Sequence, residues 1–262
     1  MRNIDNFINA QQEFIERWAK SPQKTWSNSP FYQLNSIKKR ISPYIEYLPE
    51  PYLGNPKNST AVFLNYNPGP PIPIAQDRLT GTFIKKLNAV ENYHYYAENT
   101  SYFTEESGFW AEKKKFLGRL FKIPFNEIKI FALEICPWHS DKFKLSFSDL
   151  SKIKTHVEEN TLKIAEIVAK NSKYQTIFSV GKDYYNLFAL LGFKLIDDIN
   201  KESNIKNWPC KKDDVKINRN FSIWESKTGG IYFNTWAPGG NKVSSNAFDE
   251  IILNLMKRTT DS

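Results

Sequence analysis

Three short stretches of the chain set polar side chains where apolar runs stop: Asn65 to Pro71, Glu134 to Ser140 and Trp236 to Lys242. Asn67-Pro68-Gly69 is a turn signal in its own right. An amide such as Asn67 can orient a water molecule but is too weak a base to take its proton, whereas a carboxyl such as Glu134 can hold a proton or give it up. His139 is a further acid–base candidate. Metal chemistry is not expected, because Cys136 and Cys210 show no ligand spacing with His94, His139 and His156. No cofactor is expected either. Lys and Arg number 36 against 28 Asp and Glu, a net charge of +8. A basic surface steers phosphate backbones, but lysine-rich composition alone has the same effect on charge, so charge does not decide for nucleic acid. Lys113, Lys114, Lys115, Arg119 and Lys122, interleaved with Phe116 and Phe121, are candidate phosphate contacts; each lysine taken singly is more often a solvated surface charge.

The elements that must position these loops follow from hydrophobic patterning. Asn6 to Lys20 carries Phe7, Ile8, Phe14, Ile15 and Trp18 at helical spacing and predicts an opening helix. Thr60 to Leu64, Ile128 to Leu133 and Thr176 to Gly181 are short apolar runs that predict buried strands. Residues 79–121 are expected to be helical in parts. Leu150, Ile153, Val157, Ile164 and Val168 predict a long helix to about Lys170, capped by Ser148 or Asp149. Lys182 to about Gly192 predicts another, and a terminal helix spans Ser245 to Lys257. Phe221 to Trp224 and Ile231 to Trp236 are strands joined by a Gly229-Gly230 turn. Alternating strands and helices imply an α/β fold. We expect a single-domain three-layer α/β/α arrangement over residues 1–262, with a mainly parallel central sheet and 1–47 as an N-terminal helical extension packed on it. Ligands in such sheets bind beyond the carboxyl ends of the strands, where one open sheet would gather all three loops. The longest apolar stretch, near Leu187 to Phe193, is too short to span a bilayer, and the polar start Met1 to Asp5 is no signal peptide, so a cytoplasmic protein without membrane contact is expected.

The loops also carry a resemblance. Asn65-Tyr66-Asn67-Pro68-Gly69-Pro70, followed by Ala75-Gln76, resembles the first motif of the uracil-DNA glycosylase superfamily, most closely the Gly-x-Asn-Pro-Gly-Pro of the single-strand-selective monofunctional branch. Leu48 to Pro56 resembles the segment preceding that motif. Glu134-Ile135-Cys136-Pro137 is similar to the branch's Asn-Leu-Cys-Pro, and Trp236 to Asn241 stands where the family has His-Pro-Ser-Pro and its DNA-wedge loop. The order and spacing agree over roughly residues 48 to 255.

The resemblance implies a monofunctional DNA glycosylase, active as a monomer, that flips a base and leaves an abasic site. Asn67 would orient the attacking water, and Tyr66, Pro68, Gly69 and Phe83 would surround the base. Ala237, Gly239, Gly240, Asn241 and Lys242 would meet the DNA. Two departures are chemically pointed. Glu134 replaces the family's base-reading Asn: a glutamate and a cytosine sharing one proton form a two-point pair through N3 and N4, and protonation at N3 makes the base a better leaving group. Ala237 replaces the family's His, which stabilises negative charge on the pyrimidine O2, and a base neutralised at N3 needs that donor less. The expected substrate is therefore a modified cytosine, such as the glucosylated hydroxymethylcytosine of phage DNA. The alternatives are a uracil or damaged-base repair glycosylase using protonated Glu134, and a catalytically silent binder of single-stranded or modified DNA.

Overall fold

The computed structural model describes residues 3–38, 41–66, 68–69, 90–99, 108–143, 145–198 and 220–236. A seven-stranded sheet carries the fold, in the order β2 (Tyr52–Leu53), β4 (Ile130–Glu134), β3 (Ala61–Asn65), β6 (Thr176–Val180), β9 (Ile231–Trp236), β8 (Asn220–Glu225), β7 (Lys194–Asp198). The four strands β4, β3, β6 and β9 run parallel; β2 at one edge pairs antiparallel with β4, and at the other β8 pairs antiparallel with both β9 and β7. β3, β4 and β6 are buried at every position, which is why they read in the sequence as mainly apolar runs.

Helices cover both faces. On one, α1 (Ile4–Lys20) contributes Phe7, Ile15 and Trp18 to a core shared with Leu64, Phe131 and Ile177. The same core includes α6 (Phe147–Val157), α7 (Lys163–Asn171) and α8 (Lys182–Leu190), and α2 (Pro22–Ser27), α3 (Pro30–Lys38) and α4 (Tyr93–Glu98) extend it. On the other face α5 (Phe109–Phe121) packs Trp110, Phe116, Leu117 and Leu120 onto Phe63, Ala132, Phe178 and Phe233. The fold is thus α/β, as expected, and the expected β8–β9 hairpin is present; the β2–β4 and β7–β8 pairings at the edges were not indicated by local patterning. β1 (Ile41–Pro43) and β5 (Ser140–Phe143), which form a separate two-stranded sheet, were likewise not expected.

Other differences are local. The opening helix starts at Ile4, because Asn3 caps it by accepting the Asn6 backbone N–H at 2.8 Å. The long helix is capped by Ser146 rather than Ser148 or Asp149: the Ser146 hydroxyl accepts from Asp149 N–H, and the Asp149 carboxylate accepts the Ser146 N–H at 2.8 Å. This reciprocal box makes Asp149 the third helical residue. A π-turn at Glu158–Leu162 separates α6 from α7. The expected helix from Ser245 to Lys257 lies outside the described residues.

Parallel pairing places the carboxyl ends of β3, β4, β6 and β9 on one edge. The chain passes from β3 to β4 on one side and then to β6 on the other, so the loops after β3 and β6 diverge there. That divergence is the crevice where open α/β sheets place ligands.

Candidate functional site

The first two loops are knitted together at this edge by main-chain hydrogen bonds. Ile135 N–H donates to Asn65 O at 2.8 Å, Cys136 N–H to Tyr66 O at 2.9 Å and Ser140 N–H to Gly69 O at 3.0 Å. Gly69 turns with φ of 79°, in the left-handed region that glycine tolerates. The segment before β2 joins them: Glu134 N–H donates to Pro51 O at 3.1 Å, and Glu50 N–H to Pro137 O at 2.8 Å.

Glu134 is the last residue of β4 and pairs in register with Asn65, the last of β3. Parallel partners project to the same face, so the two side chains meet. Asn65 Nδ2 donates to Glu134 Oε1 at 2.9 Å, while Oε2, fully buried, has no hydrogen-bond partner among the described residues. Burial pushes the Glu134 carboxyl up to about 8; the Asn65 hydrogen bond and Lys113 pull it down, and the charge of Glu50 pushes it further up. At neutral pH the side chain is therefore mostly a neutral acid. With Oε1 accepting from Asn65, the acid form would carry its hydroxyl on Oε2, which has no partner among the described residues.

A second buried carboxyl stands behind the first. Glu50 accepts a hydrogen bond from Tyr96 Oη at 2.9 Å and lies 3.8 Å from His139 Nε2. Burial raises its ionisation above the usual carboxylate range, against the opposing pull of His139 and the Tyr96 hydrogen bond. His139 Nδ1 lies 3.2 Å from Gly69 O. A carbonyl only accepts, so Nδ1 carries the proton, and the imidazole links the first loop to Glu50.

Lys113 and Lys114 depart from the sequence expectation of a basic surface stretch, for both are buried, whereas Lys115 and Lys122 are exposed. Lys113 lies on the sheet-facing side of α5, its amine over the rings of Phe63, Phe109 and Trp110. Tyr66 packs its ring against Tyr184, with centroids 4.3 Å apart, and against Phe143, and its buried hydroxyl has no partner among the described residues. Pro68 and Gly69 are half-buried in the first loop. Asn67, Phe83, Ala237, Gly239, Gly240, Asn241 and Lys242 lie outside the described residues.

Sequence reasoning missed Asn65 and Glu50 as site residues. Asn65 was detectable: two five-residue runs, each ending in a polar residue, suggest parallel strands in matched register. Glu50 required knowing that the segment before β2 folds back under β4. A cavity of about 540 Å³ is lined by Pro51 and Glu134 at this edge and opens beneath α1 to α3, among Phe14, Arg17, Phe31 and Trp138. Phe31 and Trp138 belong to the core on that sheet face, whereas the Glu134 side chain extends the α5 face through its alternation with Ala132. Among the described residues no group of three or more His, Cys, Asp or Glu is placed to hold a metal ion, and no helix is long and apolar enough to cross a membrane. No family model, curated protein or solved structure matches this chain.

Proposed function

We propose that the chain is a DNA glycosylase that reads a flipped, modified cytosine with Glu134 and hydrolyses its N-glycosidic bond. The observation that carries this reading is the buried, neutral Glu134 acid at the carboxyl edge, whose Oε2 has no partner. Oε2–H would donate to cytosine N3, and Oε1, which keeps a lone pair beyond the Asn65 bond, would accept from the N4 amino group. The Glu134 proton then moves to N3 as the C1′–N1 bond breaks and its electron pair passes to the base. The base leaves neutral. A water oxygen, oriented by Asn67 on the strength of the motif resemblance, bonds to C1′ and releases its proton to solvent. Catalysis would rest on position and electrostatics, as expected when the nucleophile meets an electron-poor sugar carbon.

The same neutral acid also matches uracil, donating to O4 and accepting from N3–H, which keeps a uracil-repair reading open to test. Uracil offers no acceptor at N3, so proton transfer to that atom favours a cytosine-type base. The experiment is incubation with oligonucleotides carrying cytosine, hydroxymethylcytosine, its glucoside or uracil, followed by alkaline cleavage of abasic sites. Strand breaks are expected with a modified cytosine and not with uracil. Breaks with uracil alone would overturn the cytosine reading, and binding without breaks would make the chain a silent binder. Glu134→Asn is expected to abolish cytosine-type excision and to admit uracil in the same assay.

A further inference from the structure

We propose that Lys113 supplies the positive charge that stabilises both the departing base and the Glu134 carboxylate left behind in the cleavage proposed above. The inference rests on that reading of the Glu134 site. Lys113 is 1% exposed. Helical side chains lean toward their own N-terminus, and Lys113 accordingly meets Phe109 and Trp110, the residues one turn earlier, with its Nζ 4.7 Å from the Trp110 ring centroid. Its Nζ also lies 5.6 Å from the Phe63 centroid. Phe63 precedes Asn65 by two residues on β3, so the two share a sheet face, and Glu134 is on that face as well. The amine is therefore placed on the Glu134 side of the sheet, one strand step from the Asn65–Glu134 pair.

No hydrogen bond or ion pair to Lys113 forms among the described residues. Burying a cation without a counter-ion is unfavourable. Three ring faces stabilise the ammonium in part, and burial still holds its pKa well below the ordinary lysine value, with the charge of Glu134 acting in the opposite direction. With Glu134 neutral, a protonated Lys113 would meet no counter-charge among the described residues before reaction. When the C1′–N1 bond breaks and the Glu134 proton passes to N3, negative charge develops on the base and then rests on Glu134. Lys113 favours both over the starting state and itself neither gains nor loses a proton. The charge also fills a gap in the sequence, since the third loop offers Ala237 where the resembling family has a charge-stabilising His.

The test compares wild type, Lys113→Met and Lys113→Arg in single-turnover excision of 5-methylcytosine-type and 5-fluorocytosine-type bases, which differ in leaving ability, on whichever modified oligonucleotide scaffold the wild type cleaves. Lys113→Met is expected to slow excision by about 10² to 10³, the usual loss for removing one charge-stabilising group. The loss should be smaller for the better leaving group, and Lys113→Arg should retain more activity than Lys113→Met. Equal losses for both bases, or none, would overturn the inference and leave the glycosylase reading standing. A second readout needs no turnover: the ionisation midpoint of Glu134, followed by carboxyl-¹³C NMR and assigned with Glu134→Gln, should rise by about one unit in Lys113→Met. Glu50 and Asn65 act on the same carboxyl, Tyr93, Tyr184 and Cys136 feel its charge, and all are unchanged in that variant, so an unmoved midpoint also overturns the inference. A wild type inactive on every substrate refutes the glycosylase reading and this inference with it.

Discussion

Glu134→Gln is expected to bind the target base about as well as the wild type and to excise it roughly 10² to 10⁴ times more slowly, the span typical of a lost acid–base catalyst. Glutamine can still donate to N3 through its amide N–H and accept from N4 through its carbonyl, so it preserves the two-point pair and removes only the transferable proton. The variant thereby separates reading the base from protonating it. The pH profile follows from the same carboxyl. Wild-type excision should be level through neutrality and fall as pH rises past about 8, because the acid is then ionised before the base arrives; the residual activity of Glu134→Gln should lack that fall. A wild-type rate that rises through pH 8 would mean that the carboxylate is the working form.

The same ionisation is linked to stability, with a definite sign. Below about 4.5, the ordinary glutamate value, Glu134 is protonated whether the chain is folded or not; between there and about 8 only the folded form keeps the proton. Stability from this group is therefore complete at low pH and is lost as pH rises through that window, up to a ceiling of about 5 kcal/mol. Glu50 is raised in the same direction by burial, so its loss overlaps that of Glu134. Thermal melts across pH 5 to 9 should show a shallower decline for Glu134→Gln than for wild type.

How far the site was legible depended on the range of the contacts. β3, β4 and β6 are mainly apolar runs, and the Gly229-Gly230 turn announces the β8–β9 hairpin, so the edge on which Glu134 stands could be placed from local pattern. β2 has only two residues and no periodicity to detect; its pairing with β4 is a long-range event. Lys113 shows a different failure. Trp110, Lys113, Leu117 and Leu120 follow one another at steps of three and four, which places the lysine on the apolar stripe of α5. The run of three lysines drew attention to charge, whereas helical period decides which of them is buried. The Asn65–Glu134 bond depends on strand register, which the two runs ending in Asn65 and Glu134 suggest and the β3–β4 pairing fixes.

Gly54→Ala is expected to be the most damaging single-methyl change in the described fold, lowering stability by more than about 3 kcal/mol. Gly54 has φ of 84°, and a Cβ added there would stand 2.0 Å from the carbonyl oxygen of Ile130. The left-handed conformation alone costs an L-residue about 1 to 2 kcal/mol. The clash adds to it and cannot be relieved by a rotamer change, because both partners are backbone. Gly54 N–H donates to Ala97 O at 2.8 Å, just after Tyr52 and Leu53 pair with Leu133 and Ala132 of β4. Moving Gly54 would therefore pull β2 from β4, disturbing the Tyr52 ring between Phe7, Tyr93 and Phe131. The same shift would displace Pro51 and Glu50, which hold the Glu134 backbone and set the charge behind its side chain. Gly229→Ala supplies the control: its φ of 81° is similar, but a Cβ there meets nothing within 4 Å. That variant should lose only the backbone term of about 1 to 2 kcal/mol. Denaturant melts that found the two variants equally stable would show that close approach to β4 does not decide the fate of Gly54. If Gly54→Ala alone collapses, and surviving folded protein has lost the raised midpoint of Glu134, then the two-residue strand is what keeps the acid neutral.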